Sequence, residues 1–301
     1  MENQSIALAK MLNNDFKLIN YNPPYILKKF PLLGRYYVPF FLREKLKTHL
    51  LPSIIITTGR RMAGTSIALK SILKNRVKTI HIQNPKLSPN YFDLLLIPEH
   101  DRVNGKNVIQ TKGALSFFEE KDIKEFNEPN LNKIKIKKNT VLLMVGGNSK
   151  RQKPKNSEYF ELSTKVIQGV KNLDAQLLVT VSRRTPNKAI KILQSTFSKH
   201  LKNVKIFSSN QNNLYPHVLK IVDYIIVTSD SVNMISELAT LSKPLFISHF
   251  SKENKKISLF ISNLKKLNIV KNYEGELFKF KKNRLQTNKY SILHVNKFFG
   301  F

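Results

Sequence analysis

Residues 222–247 read VDYIIVTSDSVNMISELATLSKPLFI. A run of branched and aromatic residues, Tyr224–Thr228, ends in hydroxyl and acidic side chains. A segment with apolar residues at helical spacing follows (Met234, Leu238, Leu241), and Lys243-Pro244 opens another apolar run. Strand, helix and strand in so short a span make a βαβ unit, which places the two strands parallel in one sheet.

The same alternation extends outward. Strand-like runs occur at Phe16–Tyr21, Ser53–Thr58, Val77–Ile82, Phe92–Ile97, Val141–Val145, Gln176–Val181 and Val204–Phe207. They are rich in Ile, Val, Leu and Phe on both faces, as suits strands covered by helices above and below. Helix-like segments lie between them at Gln4–Asn13, Gly64–Leu73, Glu158–Val170, Pro186–Lys199 and Ile257–Leu267. The pattern predicts an α/β chain of two Rossmann-like, doubly wound domains facing across a cleft. The charged stretch Glu119–Thr140, with Pro129 and the run KIKIKK, reads as a linker. The predicted boundaries are an N-terminal domain at 1–138, a nucleotide-binding domain at 139–262, and a tail at 263–301 returning to the first domain. This architecture resembles the one called GT-B.

Composition narrows the chemistry. The 301 residues include no Cys, which excludes disulfides, Cys-ligated metals and thiol nucleophiles. An apolar fraction of 41% suffices for packed cores. Lys and Arg number 51 against 20 Asp and Glu, a net charge of +31 that points toward phosphate-bearing partners. Most of these cations are Lys, in a chain also rich in Asn and Ile, the signature of an AT-rich genome. The Arg residues are therefore the informative charges. No stretch reaches the ~20 apolar residues of a membrane-spanning helix, and the first twelve residues lack the form of a signal peptide.

Three strand-end loops of the second domain suit an anion. Ser182-Arg183-Arg184-Thr185-Pro186 follows an apolar run, with Thr185 placed to cap a helix whose first residue is Pro186. Such a helix end offers free N–H groups, and the two Arg forks match a diphosphate. Asp230 and Ser231 stand at the next helix entry, and Ser236 and Glu237, off that helix's apolar face, are placed to reach a ligand in the cleft, the alternative being a surface helix with a solvated Glu. Gly146-Gly147 allows close backbone approach after the strand Val141–Val145. In the first domain, Gly59-Arg60-Arg61 and Gln83 follow strand-like runs, and Glu99-His100-Asp101 groups two carboxylates with an imidazole able to act as acid or base. The alternative is an ordinary loop whose charges bond one another. No second ligand cluster accompanies it, so no metal is expected.

The stretch Ser229–Pro244 resembles the nucleotide-sugar-binding segment of GT-B glycosyltransferases, above all the lipid-linked N-acetylglucosamine transferase of peptidoglycan synthesis. That likeness implies Glu237 as ribose ligand and Ser231 near the phosphates. Ser242 stands where a small residue or Gly is usual. Taken in order, Gly59-Arg60-Arg61, Gln83-x-Pro85, Phe92-Asp93 with Pro98-Glu99-His100-Asp101, Gly113-Ala114, Gly146-Gly147, Ser182–Pro186, Asn213-x-Tyr215 and Thr228–Ser231 with Ser236-Glu237 resemble the mitochondrial-fission (elongated mitochondria) family over roughly residues 2–250. The resemblance implies a GT-B-like fold and a nucleotide diphosphate or nucleotide sugar as partner, with the sugar donor as substrate and no cofactor. It implies acceptor contacts at Gly59, Arg60, Arg61 and Gln83. Two departures stand out. Met1 falls where the family has already passed a first strand and its Gly loop, and the usual Asn-Pro-Tyr reads Asn213-Leu214-Tyr215-Pro216.

Tyr25–Leu51 interleaves Phe30, Tyr36, Tyr37, Phe40 and Phe41 with Lys28, Lys29, Arg35, Arg43, Lys45 and Lys47. Such a mixture suits an anionic membrane surface, or else a pair of packed helices. Base stacking could use the same residues, but no nucleic-acid-binding motif accompanies them. Three readings follow. The first is a nucleotide-sugar-binding protein and glycosyltransferase acting on a membrane-linked or envelope acceptor, cytoplasmic and peripheral to the inner face of a bacterial cell membrane. The second is a non-enzymatic membrane or fission scaffold, and the third, least supported, is a nucleic-acid binder.

Overall fold

The computed structural model describes residues 2–12, 15–46, 51–126, 139–149, 152–208 and 214–300. Residues 47–50, the Phe41 and Lys45 side chains, Pro129, the KIKIKK run and Asn213 lie outside the described residues. The chain forms two compact units. Unit 1 is Met1–Phe117 with Gln286–Phe301, and unit 2 is Phe118–Leu285.

Unit 1 contains α1 (Glu2–Met11), α2 (Tyr25–Lys29), α3 (Phe40–Leu46), β1 (Ile54–Thr58), α4 (Ala63–Leu73), β2 (Lys78–Ile82), β3 (Leu94–Pro98) and β4 (Val108–Thr111). The strands form a parallel sheet in the order β1-β2-β3-β4. Ile80, Ile82, Leu94 and Leu96 pack on one face against Ala7 and Leu8 of α1 and Val295 of the C-terminal helix Thr287–Phe299. On the other face Leu95 and Ile97 meet Ala63 and Ile67 of α4. The short turn Pro31–Arg35 lies directly on α4, because a Cβ on Gly34 would fall 2.3 Å from the Gly64 carbonyl oxygen.

Unit 2 contains α5 (Glu120–Glu125), β5 (Thr140–Val145), α6 (Asn156–Asn172), β6 (Gln176–Val181), α7 (Asn187–His200), β7 (Val204–Ser208), α8 (Leu214–Ile221), β8 (Tyr224–Thr228), α9 (Val232–Ala239), β9 (Leu245–Ser248), α10 (Lys255–Lys266) and β10 (Lys271–Asn272). The sheet is parallel throughout, in the order β10-β9-β8-β5-β6-β7. The chain thus winds outward from β5 through β6 to β7, then returns to β5's other side and winds through β8 and β9. Alternation along β5 divides the core. Leu142 and Met144 face helices α8, α9 and α10, while Val141, Leu143 and Val145 face α6 and α7.

Several expectations change. Phe16–Tyr21 joins neither sheet, and Phe16, Leu18 and Ile19 are exposed. An apolar run becomes a strand only where a neighbour takes its backbone groups, and β1 pairs with β2 alone. The expected linker begins with structure. Glu119 and Asp122 form a capping box for α5, whose Ile123 enters the unit 2 core. The tail divides. Residues up to Leu285 belong to unit 2, where β10 adds to the sheet edge and the Leu285 amide donates to the Ala239 carbonyl at 2.9 Å. Only the C-terminal helix joins unit 1, where Asn288 spans the Ser116 backbone by accepting from its N–H and donating to its C=O, both at 2.9 Å.

Candidate functional site

In open α/β sheets, ligands bind beyond the carboxyl ends of the strands, where the winding direction reverses. In unit 2 that reversal lies between β5 and β8. Gly146-Gly147 leaves β5, and Thr228-Ser229-Asp230 leaves β8. The two loops are bonded together. The Gly146 amide donates to Thr228 Oγ1 at 2.8 Å, and the Gly147 amide donates to Asp230 Oδ2 at 3.0 Å. Thr228 Oγ1 donates to Asp230 Oδ1 at 2.6 Å. Both glycines are required by space. A Cβ on Gly146 would fall 2.0 Å from the Asp230 carboxylate oxygens, and one on Gly147 would fall 2.1 Å from the Arg184 carbonyl.

The loop after β6 closes onto the same point. Thr185 Oγ1 lies 3.2 Å from the Val145 carbonyl and 3.0 Å from that of Gly146. The Thr185 hydroxyl is therefore committed to β5 and does not cap α7, whose N-cap position is Pro186. The Ser182 amide reaches Thr185 Oγ1 at 3.0 Å, and the Arg184 amide donates to Ser182 Oγ at 3.2 Å. Arg184 Nη2 lies 3.4 Å from Asp230 Oδ2, with the Arg184 side chain still nearly half exposed, and Arg183 is exposed beside it. Asp230 is almost fully buried. Burial pushes its carboxyl above the ordinary range, against the opposing pull of Thr228, Gly147 and Arg184. As an anion, Asp230 is a bracket for the loops and for Arg184, and not itself a phosphate ligand.

Ser231 accepts the Met234 amide at 3.5 Å and caps α9. Ser236 is fully buried on that helix and so faces the protein interior, contrary to the expectation that it reaches a ligand. Glu237 is half-buried and accepts a hydrogen bond from the Tyr215 hydroxyl. Burial raises its carboxyl, with Tyr215 opposing. Lys243 donates to the Lys220 carbonyl at 2.8 Å and to that of Val222, so the Lys-Pro pair closes the end of α8.

Several neighbours were missed from sequence. The Ser229 amide donates to the Ser248 carbonyl at 3.0 Å, and Ser229 Oγ accepts from the Phe250 amide at 3.2 Å. Glu253 pairs with His249 Nδ1 at 2.5 Å, and His249 Nε2 lies 2.8 Å from Asn272 Oδ1. The Glu253 bond raises the His249 imidazole above its ordinary value, against burial. The His249/Glu253 spacing of one helical turn after a strand end was the available signal. Tyr159 and Gln152 gave none. The Tyr159 hydroxyl and both Gln152 amide atoms are buried without a hydrogen-bond partner among the described residues. Burial raises the Tyr159 phenol, and the Asp230 charge adds to it.

In unit 1 the expected residues share one edge of the parallel sheet. Gly59 follows β1 at φ 88°, and Arg60 and Arg61 are exposed beyond it. Gln83 follows β2 at φ 76°, a left-handed conformation that costs a non-glycine residue about 1–3 kcal/mol. Its amide donates to the Leu96 carbonyl at 2.8 Å. Glu99, His100 and Asp101 form a short turn after β3, with His100 buried and both carboxylates half-buried. His81, inside β2, was not anticipated. It is fully buried, with Nδ1 2.8 Å from Thr57 Oγ1 and Nε2 unpartnered among the described residues. Burial pushes its pKa down to about 3.

Two Rossmann-like units with parallel sheets define the GT-B class of fold shared with UDP-sugar enzymes. A solved structure of Methanocaldococcus jannaschii UDP-GlcNAc 2-epimerase, in complex with UDP-GlcNAc and UDP, is similar over 99% of this chain and 95% of its own. Its TM-score is 0.55 and its identity 13%, a likeness of fold. The chain belongs to the Mitochondrial fission ELM1 family, whose sequence model matches residues 1–294. It is 28% identical to the Rickettsia prowazekii (strain Madrid E) protein RP120 over 297 residues, covering 87% of this chain and 84% of that one. It is 22% identical to the Arabidopsis thaliana Mitochondrial fission protein ELM1 over 253 residues, covering 74% of this chain and 58% of that one.

Proposed function

We propose that unit 2 binds the diphosphate of a nucleotide sugar at the carboxyl edge of its sheet. The observation that carries this reading is the bracket at the winding reversal. Asp230 fixes Gly147 and Arg184 together and leaves Arg183 exposed at the same edge. The capped N-terminus of α9 adds partial positive charge there. Glu237 takes the ribose hydroxyls. A carboxylate has two oxygens, so it can keep the Tyr215 bond while doing so. UDP and UDP-GlcNAc in the Methanocaldococcus jannaschii structure support the ligand class.

The reaction we propose is glycosyl transfer, with the nucleotide sugar as donor and no cofactor. Arg183 and the helix ends stabilise the charge developing on the departing diphosphate. Gly59, Arg60, Arg61 and Gln83 take a membrane-linked or envelope acceptor, and Glu99, His100 and Asp101 are the groups at that edge able to accept its proton.

Thermal melting with UDP and GDP tests the binding. Ligand at a hundred times its Kd adds about 2.7 kcal/mol, which raises Tm by about 5–10 °C in units of this size. At the same ligand concentration the shift should fall by about half or more in Arg183→Ala, and it should vanish in Glu237→Ala. Absence of any shift with either diphosphate overturns the reading.

A further inference from the structure

The segment 16–43 of unit 1 carries a run of exposed apolar side chains. Tyr36, Phe40 and Tyr25 are 78%, 76% and 73% exposed, and Phe16, Ile19 and Phe30 about half so. Monomeric soluble proteins rarely expose so many large apolar side chains together. The surface rests on a fixed support. Leu27 is fully buried, α2 and the following turn pack on α4, and the Gly34–Gly64 contact holds the turn in place. One side of residues 25–35 is therefore committed to the core while their exposed rings face outward.

Its charge is one-sided. Residues 16–43 contain Lys17, Lys28, Lys29, Arg35 and Arg43 and no Asp or Glu. The cations lie at the height of the rings. Lys29 Nζ is 5.8 Å from the Tyr25 ring centre and 5.2 Å from that of Phe30, and the Arg35 guanidinium is 5.6 Å from that of Tyr36. At a bilayer interface, rings sit at headgroup depth and cations meet lipid phosphate at the same level.

We propose that this face of unit 1 docks on an anionic lipid bilayer, inserting its aromatic and aliphatic side chains between headgroups. Charge separates this occupant from a second copy of the chain, since a two-fold contact would bring these cations against one another. Side-chain type separates it from nucleic acid. Leu18, Ile19, Ile26, Leu32 and Leu33 are exposed among the rings, and aliphatic groups suit acyl chains but offer no face for base stacking. No helix among the described residues is long and apolar enough to cross a membrane, so the contact is interfacial.

The chain contains no Trp, so a single introduced indole reports its own position. Phe40→Trp and, as control, Phe160→Trp on α6 (56% exposed) are titrated with vesicles of phosphatidylcholine alone and mixed with phosphatidylglycerol. The proposal expects a blue-shifted, brighter emission from Phe40→Trp with the mixed vesicles and no change from Phe160→Trp. The triple variant Tyr25→Ser/Tyr36→Ser/Phe40→Ser keeps every charge and should lose about tenfold or more in vesicle affinity, with unaltered melting. Undiminished binding by that variant would assign the attraction to the diffuse Lys charge and overturn the proposal. So would a failure to bind mixed vesicles. A Phe40→Trp shift produced by single-stranded RNA, or by self-association without lipid, would overturn it as well.

Discussion

Gly146 and the Asp230 carboxylate occupy one space: a Cβ on Gly146 would sit 2.0 Å from both carboxylate oxygens. The carboxylate cannot swing aside without giving up the Gly147 amide and the Thr228 hydroxyl. Gly146→Ala should therefore destabilise by about 1–3 kcal/mol, seen as a Tm lower by roughly 2–4 °C per kcal/mol. Part of that loss should return in Gly146→Ala/Asp230→Ala, where the obstacle is gone. Additive losses in the double variant would show that the two residues do not interact.

The two neighbouring arginines should separate in experiment. Arg184 is tied to Asp230, whereas Arg183 is exposed. Arg184→Ala is expected to lower both melting temperature and diphosphate affinity. Arg183→Ala should lower affinity alone, by about tenfold or more for a lost charge-assisted bond of roughly 1.5–3 kcal/mol. Calorimetric titration beside a melting curve distinguishes them, and equal loss of stability in both variants would remove the distinction.

Glu237 lies on the losing side of a linkage. Burial raises its folded-state pKa, so ionisation costs the fold stability at pH values above that pKa and nothing well below the unfolded value. Glu237→Gln keeps an acceptor for Tyr215 and removes the charge. It should melt higher at pH 7, by about 0.5–2 kcal/mol, while losing its UDP response. A lower melting temperature would show that the carboxylate stabilises the unit.

His81 predicts acid sensitivity. Its folded pKa of about 3 lies below the 6.5 of the free side chain, so the unfolded chain takes the proton first. Its contribution is fully present above pH 6.5 and falls by about 1.4 kcal/mol per unit as pH drops toward 3. His249 acts oppositely. Its folded pKa is raised, so its stabilisation is complete below 6.5 and lost on going alkaline. Urea midpoints measured from pH 6.5 to 4.5 should fall more steeply in the parent than in His81→Gln. Parallel slopes would contradict this.

Much of unit 2 was legible because its strands are apolar on both faces and its loops carry recognisable residue types. The βαβ unit at 222–247 places Thr228–Ser231 at a strand's carboxyl end, as the structure does. Roles within the loops were less legible. Thr185 has the residue type of a helix cap, yet its hydroxyl is consumed by the carbonyls of Val145, which ends β5, and of Gly146 just beyond it, partners about forty residues away in sequence. Asp230 looked like a ligand residue and serves as a bracket, since only the fold brings Gly147 and Arg184 to it. Ser236 and Glu237 are sequence neighbours on one helix, but only the second is partly exposed. Phe16–Tyr21 failed for a related reason. Strand propensity is a property of a segment, whereas strand formation requires a partner.

The Asn288–Ser116 pairing and the burial of Val295 make the last helix part of the first unit's core. Synthesis proceeds in the opposite sense. Every residue of Phe118–Leu285 leaves the ribosome before that helix does, so unit 2 can close while unit 1 still lacks a wall. The half that is translated first is completed last, and a premature stop near residue 286 would injure the beginning of the protein and spare its middle.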